Sequence, residues 1–177
     1  MPLLRGVGIV LHPVYSHVKK GPLAPLMLTG NWDATDPDTS QDEALLHLRS
    51  AWAQDNASAS VYDQVLLELR RCSAFMQHFI DGSPSEHSPE YGYNGPWSGP
   101  FIWLHCASQE YVTKLHQRQP IALLIFAHFG ALLQRLDHIW VTAGWGSRIV
   151  SVVDEILGSY WDRWMQWPRE VVGIVQQ

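Results

Sequence analysis

Nine histidines, two cysteines and seventeen carboxylates are the groups available for chemistry in this chain, and their spacing removes most of the familiar options. His12 and His17 stand five residues apart, His105 and His116 eleven, and His128 and His138 ten. None of these pairs forms an HExxH, and no CxxC exists to hold a structural or catalytic zinc. A serine nucleophile would need the GxSxG elbow, which is missing. Gly6-Val7-Gly8 lacks the third glycine and the preceding strand of a dinucleotide fingerprint. Asp33, Asp36 and Asp38 share a loop without the spaced glycine and terminal glutamate of a calcium site. No metal and no cofactor are expected.

What remains is a histidine in an apolar setting. His128 interrupts the run Ile121–Leu133, and a core imidazole must find partners. A backbone carbonyl is the ordinary partner, and a ligand carbonyl or hydroxyl is the functional one. His105, Tyr111 and Trp103 precede it on another expected helix and are candidates for the same space. His128, Tyr111 and His105 are therefore the candidate catalytic groups. Phe101, Trp103, Leu104, Phe126, Phe129, Trp140, Trp145, Trp161 and Trp164 are the candidate walls of an aromatic cavity, since ligand pockets are mostly apolar with a few placed polar atoms.

The elements that must carry these residues read as helices. Within Pro120 to Leu136, the run Ile121 to Leu133 is apolar apart from His128 and the small Gly130, as a helix buried on all sides must be. At 13 residues it is too short for a bilayer, which needs about 20. Pro120 suits the first turn, and Arg135 complements the negative end of the helix dipole. Leu45, Leu48 and Trp52 mark one face of a helix over 42–54. Val65, Leu66, Leu69, Cys72, Phe75, Met76 and Phe79 do the same over 61–80. A further helix is expected over 101–117, and another carries Ile149, Val150, Val152, Val153, Ile156 and Leu157 after a break at Gly144-Trp145-Gly146. The tryptophan-rich segment 160–167 is expected to stop before Pro168. Leu3–Lys20 has helical spacing kinked by Pro13 and ended by Gly21-Pro22. Residues 81–100, rich in Pro, Gly, Tyr91, Tyr93 and Trp97, form a connector or lid. No strand alternation exists, so the expected fold is all-α: one domain over 1–177, an irregular helical bundle around a buried central helix at about 121–136.

Several segments together, FIWL (101–104), QPIALLIFAHFGALLQRL (119–136), Trp140, GWGSRI (144–149) and WDRWMQWPREVVG (161–173), resemble the C-terminal part of the fungal-specific regulatory domain of zinc-cluster transcription factors. The sterol-uptake-control branch is the most similar, and Leu4–Val7 and Gly21–Leu26 also look like it. The resemblance implies a helical, hydrophobic-ligand-sensing domain with an oligomeric habit, which leaves room for a homodimer. The zinc-cluster module needs six close cysteines and this chain has two, so no direct nucleic-acid binding is expected. A net charge of -5 argues the same way.

Cys72 and Cys106 show no pairing pattern and Met1–Arg5 lacks a signal-peptide character. The expected setting is intracellular, cytoplasmic or nuclear, away from membranes. The expected function is a stand-alone binder of a hydrophobic terpenoid-, sterol- or polyketide-like metabolite. Secondary to binding, the same pocket could convert its guest by confinement, as a cofactor-free cyclase or pericyclase. Fungal secondary metabolism is implied by the resemblance alone. The alternative is a regulatory, ligand-sensing or dimerisation fragment of such a transcription factor.

Overall fold

A buried rod with helices laid around it is the architecture that the apolar run at 121–133 dictates. A computed structural model of the chain describes residues 32–39, 43–53, 57–80 and 94–174. The expectations for 3–20, with His12, His17 and the Gly21-Pro22 stop, lie outside the described residues. So do the resemblance at 4–7 and 21–26 and most of the 81–100 connector, with Tyr91 and Tyr93.

Among the described residues there are seven α-helices and no strand: α1 (Glu43–Leu48), α2 (Ala59–Ile80), α3 (Ser98–Cys106), α4 (Gln109–His116), α5 (Pro120–Gln134), α6 (Trp145–Leu157) and α7 (Asp162–Val172). The all-α bundle around a central helix is what the structure shows. Helix α5 begins on Pro120 at its first position and buries every residue from Ala122 to Leu133 except Phe126. Helices α6 and α7 cover one side of it, while α2, α3 and α4 cover the other. Leu45, Leu48 and Trp52 are buried as their spacing requires, with Trp52 in a 3-10 turn that extends α1. On α2 the stripe Val65, Leu66, Leu69, Cys72, Phe75 and Met76 is buried.

Two glycines allow a close crossing of α5 and α6. An added Cβ at Gly146 would stand 2.6 Å from the Gly130 carbonyl oxygen and 2.9 Å from the Gln134 nitrogen. Helices α5 and α6 therefore meet backbone to backbone, which only a residue without a side chain allows. Gly144 opens α6 with φ of 74°, a left-handed conformation that suits glycine. The turn ahead of it is tied down twice. Gly144 N–H donates to Asp137 Oδ1 at 2.7 Å, and the Thr142 hydroxyl donates to the Leu136 carbonyl at 2.7 Å.

Several helix boundaries differ from those the sequence suggested: α3 starts at Ser98, inside the expected connector, α6 starts at Trp145, inside the expected break, and two further differences are larger. The helix expected over 101–117 is two. Ala107 takes an extended ψ of 120°, and the Ser108 hydroxyl then accepts the Tyr111 N–H at 3.2 Å as the N-cap of α4. The tryptophan segment does not end at Trp167. A 3-10 turn over Ser159–Trp161 leads into α7, which runs through Pro168 to Val172. Proline removes one helical hydrogen bond. Packing on α5 and the ion pairs of Arg169 beyond the proline offset that loss. Arg169, itself buried, donates from Nε to Asp154 Oδ1 at 2.8 Å and from a terminal nitrogen to Asp162 Oδ1 at 2.6 Å. The first bond ties α7 to the last turn of α6, and the second runs back within α7 to its first residue.

Among the described residues no helix is long and apolar enough to cross a membrane. Both cysteines are free thiols, Cys72 buried and Cys106 exposed.

Candidate functional site: a tryptophan-walled cleft over His128

His128 lies in the second half of α5 and is 2% exposed. Its Nδ1 stands 2.9 Å from the Leu124 carbonyl oxygen, one helical turn back. A carbonyl only accepts, so the proton belongs on Nδ1 and Nε2 is left with a lone pair. Nε2 makes no hydrogen bond among the described residues. Burial holds the imidazole neutral, lowering its pKa from 6.5 to about 4, with the carbonyl bond opposing more weakly. Trp167 from α7 stacks on the ring, centroids 5.4 Å apart and planes 24° from parallel.

His128 lines a cleft of about 130 Å3 together with Ala44 and His47 of α1 and Arg163, Trp164, Gln166, Trp167 and Glu170 of α7. The α7 residues recur at three- and four-residue intervals, so they share one helical face. The rim is held in place by hydrogen bonds. Arg163 donates to His47 Nε2 at 3.2 Å and lies over the Trp164 ring at 5.4 Å. Trp164 Nε1 donates to Ser50 Oγ at 3.0 Å, and Ser50 donates to the His47 carbonyl at 2.7 Å. Gln166 donates to Glu170 at 2.9 Å. A larger cleft of about 550 Å3 runs along α7, shares Arg163, Gln166 and Glu170 with the first, and adds Asp162, Arg169, Gly173 and Ile174.

The residues singled out from the sequence fall into three places. Trp103, Tyr111, Phe126 and Phe129 make one aromatic column in the bundle. Trp103 and Phe129 stack at 4.4 Å, Tyr111 meets Trp103 at 6.0 Å, and Phe126 meets Phe129 at 5.8 Å. The polar atoms of this column are already engaged. Trp103 Nε1 donates to the Val65 carbonyl at 3.2 Å and the Tyr111 hydroxyl to the Ala122 carbonyl at 3.1 Å. Burial also pushes the Tyr111 phenol well above its ordinary value, with Tyr62 adding to the rise, so it stays a neutral, committed donor. The space between these rings is filled by the rings.

Trp161 and Trp164, half-buried and 5.5 Å apart, stand on the α7 side with His128. The remaining candidates lie outward. His105 is exposed at the end of α3, Leu104 is half-buried, and Phe101 is half-buried against Trp97 at 6.5 Å. Trp140 is 89% exposed and Trp145 47%. Tyr111 and His128 do not meet. The tyrosine bonds to α5 at Ala122, six residues and about 9 Å along the axis from the histidine. Sequence reasoning missed Trp167, Arg163, His47, Gln166 and Glu170. The signal for the α7 members was their shared helical face, which becomes visible once the helix is allowed to continue past Trp167.

Chemically, the cleft offers a neutral acceptor stacked on Trp167, with Trp164, a guanidinium and a carboxylate among its other lining groups. Among the described residues no three His, Cys, Asp or Glu side chains converge to hold a metal ion. No family model, curated protein or solved structure matches this chain.

Proposed function

We propose that this chain binds a hydrophobic, ring-bearing small molecule of the terpenoid, sterol or polyketide type that carries a hydroxyl group, seated over His128. The observation that carries this reading is the buried imidazole, which is neutral and has an acceptor nitrogen without a partner among the described residues. Nε2 is not among the buried atoms left without a partner, because His128 opens on the cleft, and there it can accept from a guest's hydroxyl in place of solvent. Trp164 and Trp167 supply flat apolar surface for rings. The adjoining cleft of about 550 Å3 lies within the range of small-molecule sites, about 300–1,000 Å3. Arg163 and Glu170 suit a polar group at the guest's outer end.

Binding is favoured over turnover. Conversion by confinement requires the guest to be enclosed, and the 130 Å3 space beside His128 is too small to surround a flexible polyene. The alternative role, a ligand-sensing fragment of a fungal zinc-cluster factor, rests on the family resemblance and uses the same cleft.

The test is a titration with a sterol, a polycyclic terpene alcohol and the ketone analogue of each, followed by tryptophan fluorescence and by mass spectrometry for product. The alcohols should quench saturably and bind up to about tenfold tighter than the ketones, the worth of one neutral hydrogen bond. His128→Phe should erase that preference, and Trp167→Ala should weaken all of them. Binding that is the same in both variants, or no saturable quenching by any compound, refutes the assignment.

A further inference from the structure

Helix α6 has a second apolar face that the bundle does not use. Val150, Val153 and Gly146 point inward and are buried. Roughly 100° around the helix, Trp145, Ile149, Val152 and Ile156 form an outer stripe. Trp145 is 47% exposed, Val152 48% and Ile156 41%, while Ile149 is half-buried at the edge of the stripe nearest α5. Arg148 and Glu155, both exposed, lie together on the opposite flank.

The stripe is symmetric about its own middle. A two-fold axis between Val150 and Ser151 sets Trp145 opposite Ile156 of the partner subunit and Ile149 opposite Val152 of the partner subunit. Antiparallel helices related in this way bring the same flank of each together. Arg148 then comes within about 3 Å, measured along the axis, of the level of Glu155 of the partner subunit, and the reverse pair forms as well. Self-complementarity of this kind is what an isologous interface requires. We propose that the outer face of α6 pairs antiparallel with α6 of a second copy of this chain, around an apolar seam flanked by two Arg148–Glu155 ion pairs.

The size of the surface sets its strength. The stripe alone does not reach the roughly 800 Å2 per partner of a standard interface. Trp140 and Tyr160, 89% and 77% exposed, flank α6 in the chain and bring two further rings of about 150–250 Å2 each. The dimer is therefore a weak one, and it weakens further with salt, which screens the flanking pairs.

Sedimentation equilibrium of the full chain at low salt, up to protein concentrations on the order of 100 μM as weak interfaces need, tests it. The expected result is a reversible monomer–dimer equilibrium. Val152→Asp should weaken it at least ~tenfold by burying an unpaired charge beside the axis. R148E and E155R should each weaken it, and the double variant R148E/E155R should restore it to within about twofold, as double-mutant logic demands of a direct pair. All three substituted positions are exposed, and far-ultraviolet circular dichroism with the melting midpoint checks that each variant folds. A chain that stays monomeric throughout overturns the proposal and leaves the stripe to a different partner. A dimer indifferent to Val152→Asp, or one not rescued by the charge exchange, overturns it as well.

Discussion

Acid should destabilise this protein through His128 by an amount the structure sets. In the unfolded chain the imidazole titrates near 6.5, and in the fold near 4, because burial excludes the charged form. Between those values the unfolded state binds a proton that the native state does not, so stability falls as pH falls. The contribution is fully present above pH 6.5 and is lost progressively down to about pH 4. The 2.5 pH between the two values, at about 1.4 kcal/mol per pH, makes the total about 3 kcal/mol, and about 2 kcal/mol of it is gone by pH 5. With a urea slope of about 2 kcal/mol per molar, the unfolding midpoint should drop by about 1 M between pH 7.5 and pH 5. Other titrating groups contribute too, so the informative quantity is the difference from His128→Phe, which keeps a ring against Trp167 and removes the titration. Wild type should lose about 2 kcal/mol more than the variant over that range. Equal pH slopes in the two proteins, or a His128 resonance that titrates near 6.5 by NMR, would refute the buried neutral imidazole. The hydroxyl-accepting site would fall with it.

Four further outcomes follow from packing and hydrogen bonding. Gly146→Ala drives a methyl against the Gly130 carbonyl and the Gln134 nitrogen, and backbone atoms cannot yield as a side chain would. The net cost should be about 2 kcal/mol after the helix-propensity gain, seen as a melting-temperature drop of about 4–8 °C. Gly130→Ala should cost less, since Ile149 is what it meets first. Arg169→Met strands the Asp154 and Asp162 carboxylates and should cost about 2 kcal/mol by chemical unfolding. Ser108→Ala removes the N-cap of α4 and should cost about 1 kcal/mol by the same measurement.

Much of this fold is legible in the sequence because burial imposes periodicity. A helix-length run that is apolar at nearly every position reads as a rod with neighbours on every side, and α5 is that rod. The stripe on α2 is equally plain. The break at Ala107 is hidden for a physical reason. Trp103, Ala107, Tyr111 and Leu115 keep a four-residue spacing straight through it, so hydrophobic phase carries no trace of the interruption. Only Ser108, a good capping residue ahead of Gln109 and Glu110, hints at it. The end of α7 misleads in the opposite sense. Proline disfavours a helix locally, but one lost hydrogen bond is small beside the burial of Met165 and Pro168 and the Arg169 bonds. Tryptophans resist placement most of all, because an amphipathic ring suits core and surface alike. Trp103 is walled in and Trp140 is bare, and Trp140 sits in a turn held by Asp137 and Thr142, where no helical period applies. For the site, His128 could be found from its apolar neighbours. Its stacking partner Trp167 could not, because that residue was expected to mark a helix end.

The proline in α7 also sets where that helix is softest. Pro168 has no N–H to offer the carbonyl of Trp164, so one rung of the ladder is missing, in the turn that carries Trp164 and Trp167 to the cleft. A helix bends most easily where such a rung is gone. The wall of the cleft thus lacks a rung near its midpoint, while its floor, α5, is held backbone to backbone against α6 at Gly146 and Gly130. A guest of varying thickness would be accommodated by flexing one helix, with the rest of the bundle left undisturbed.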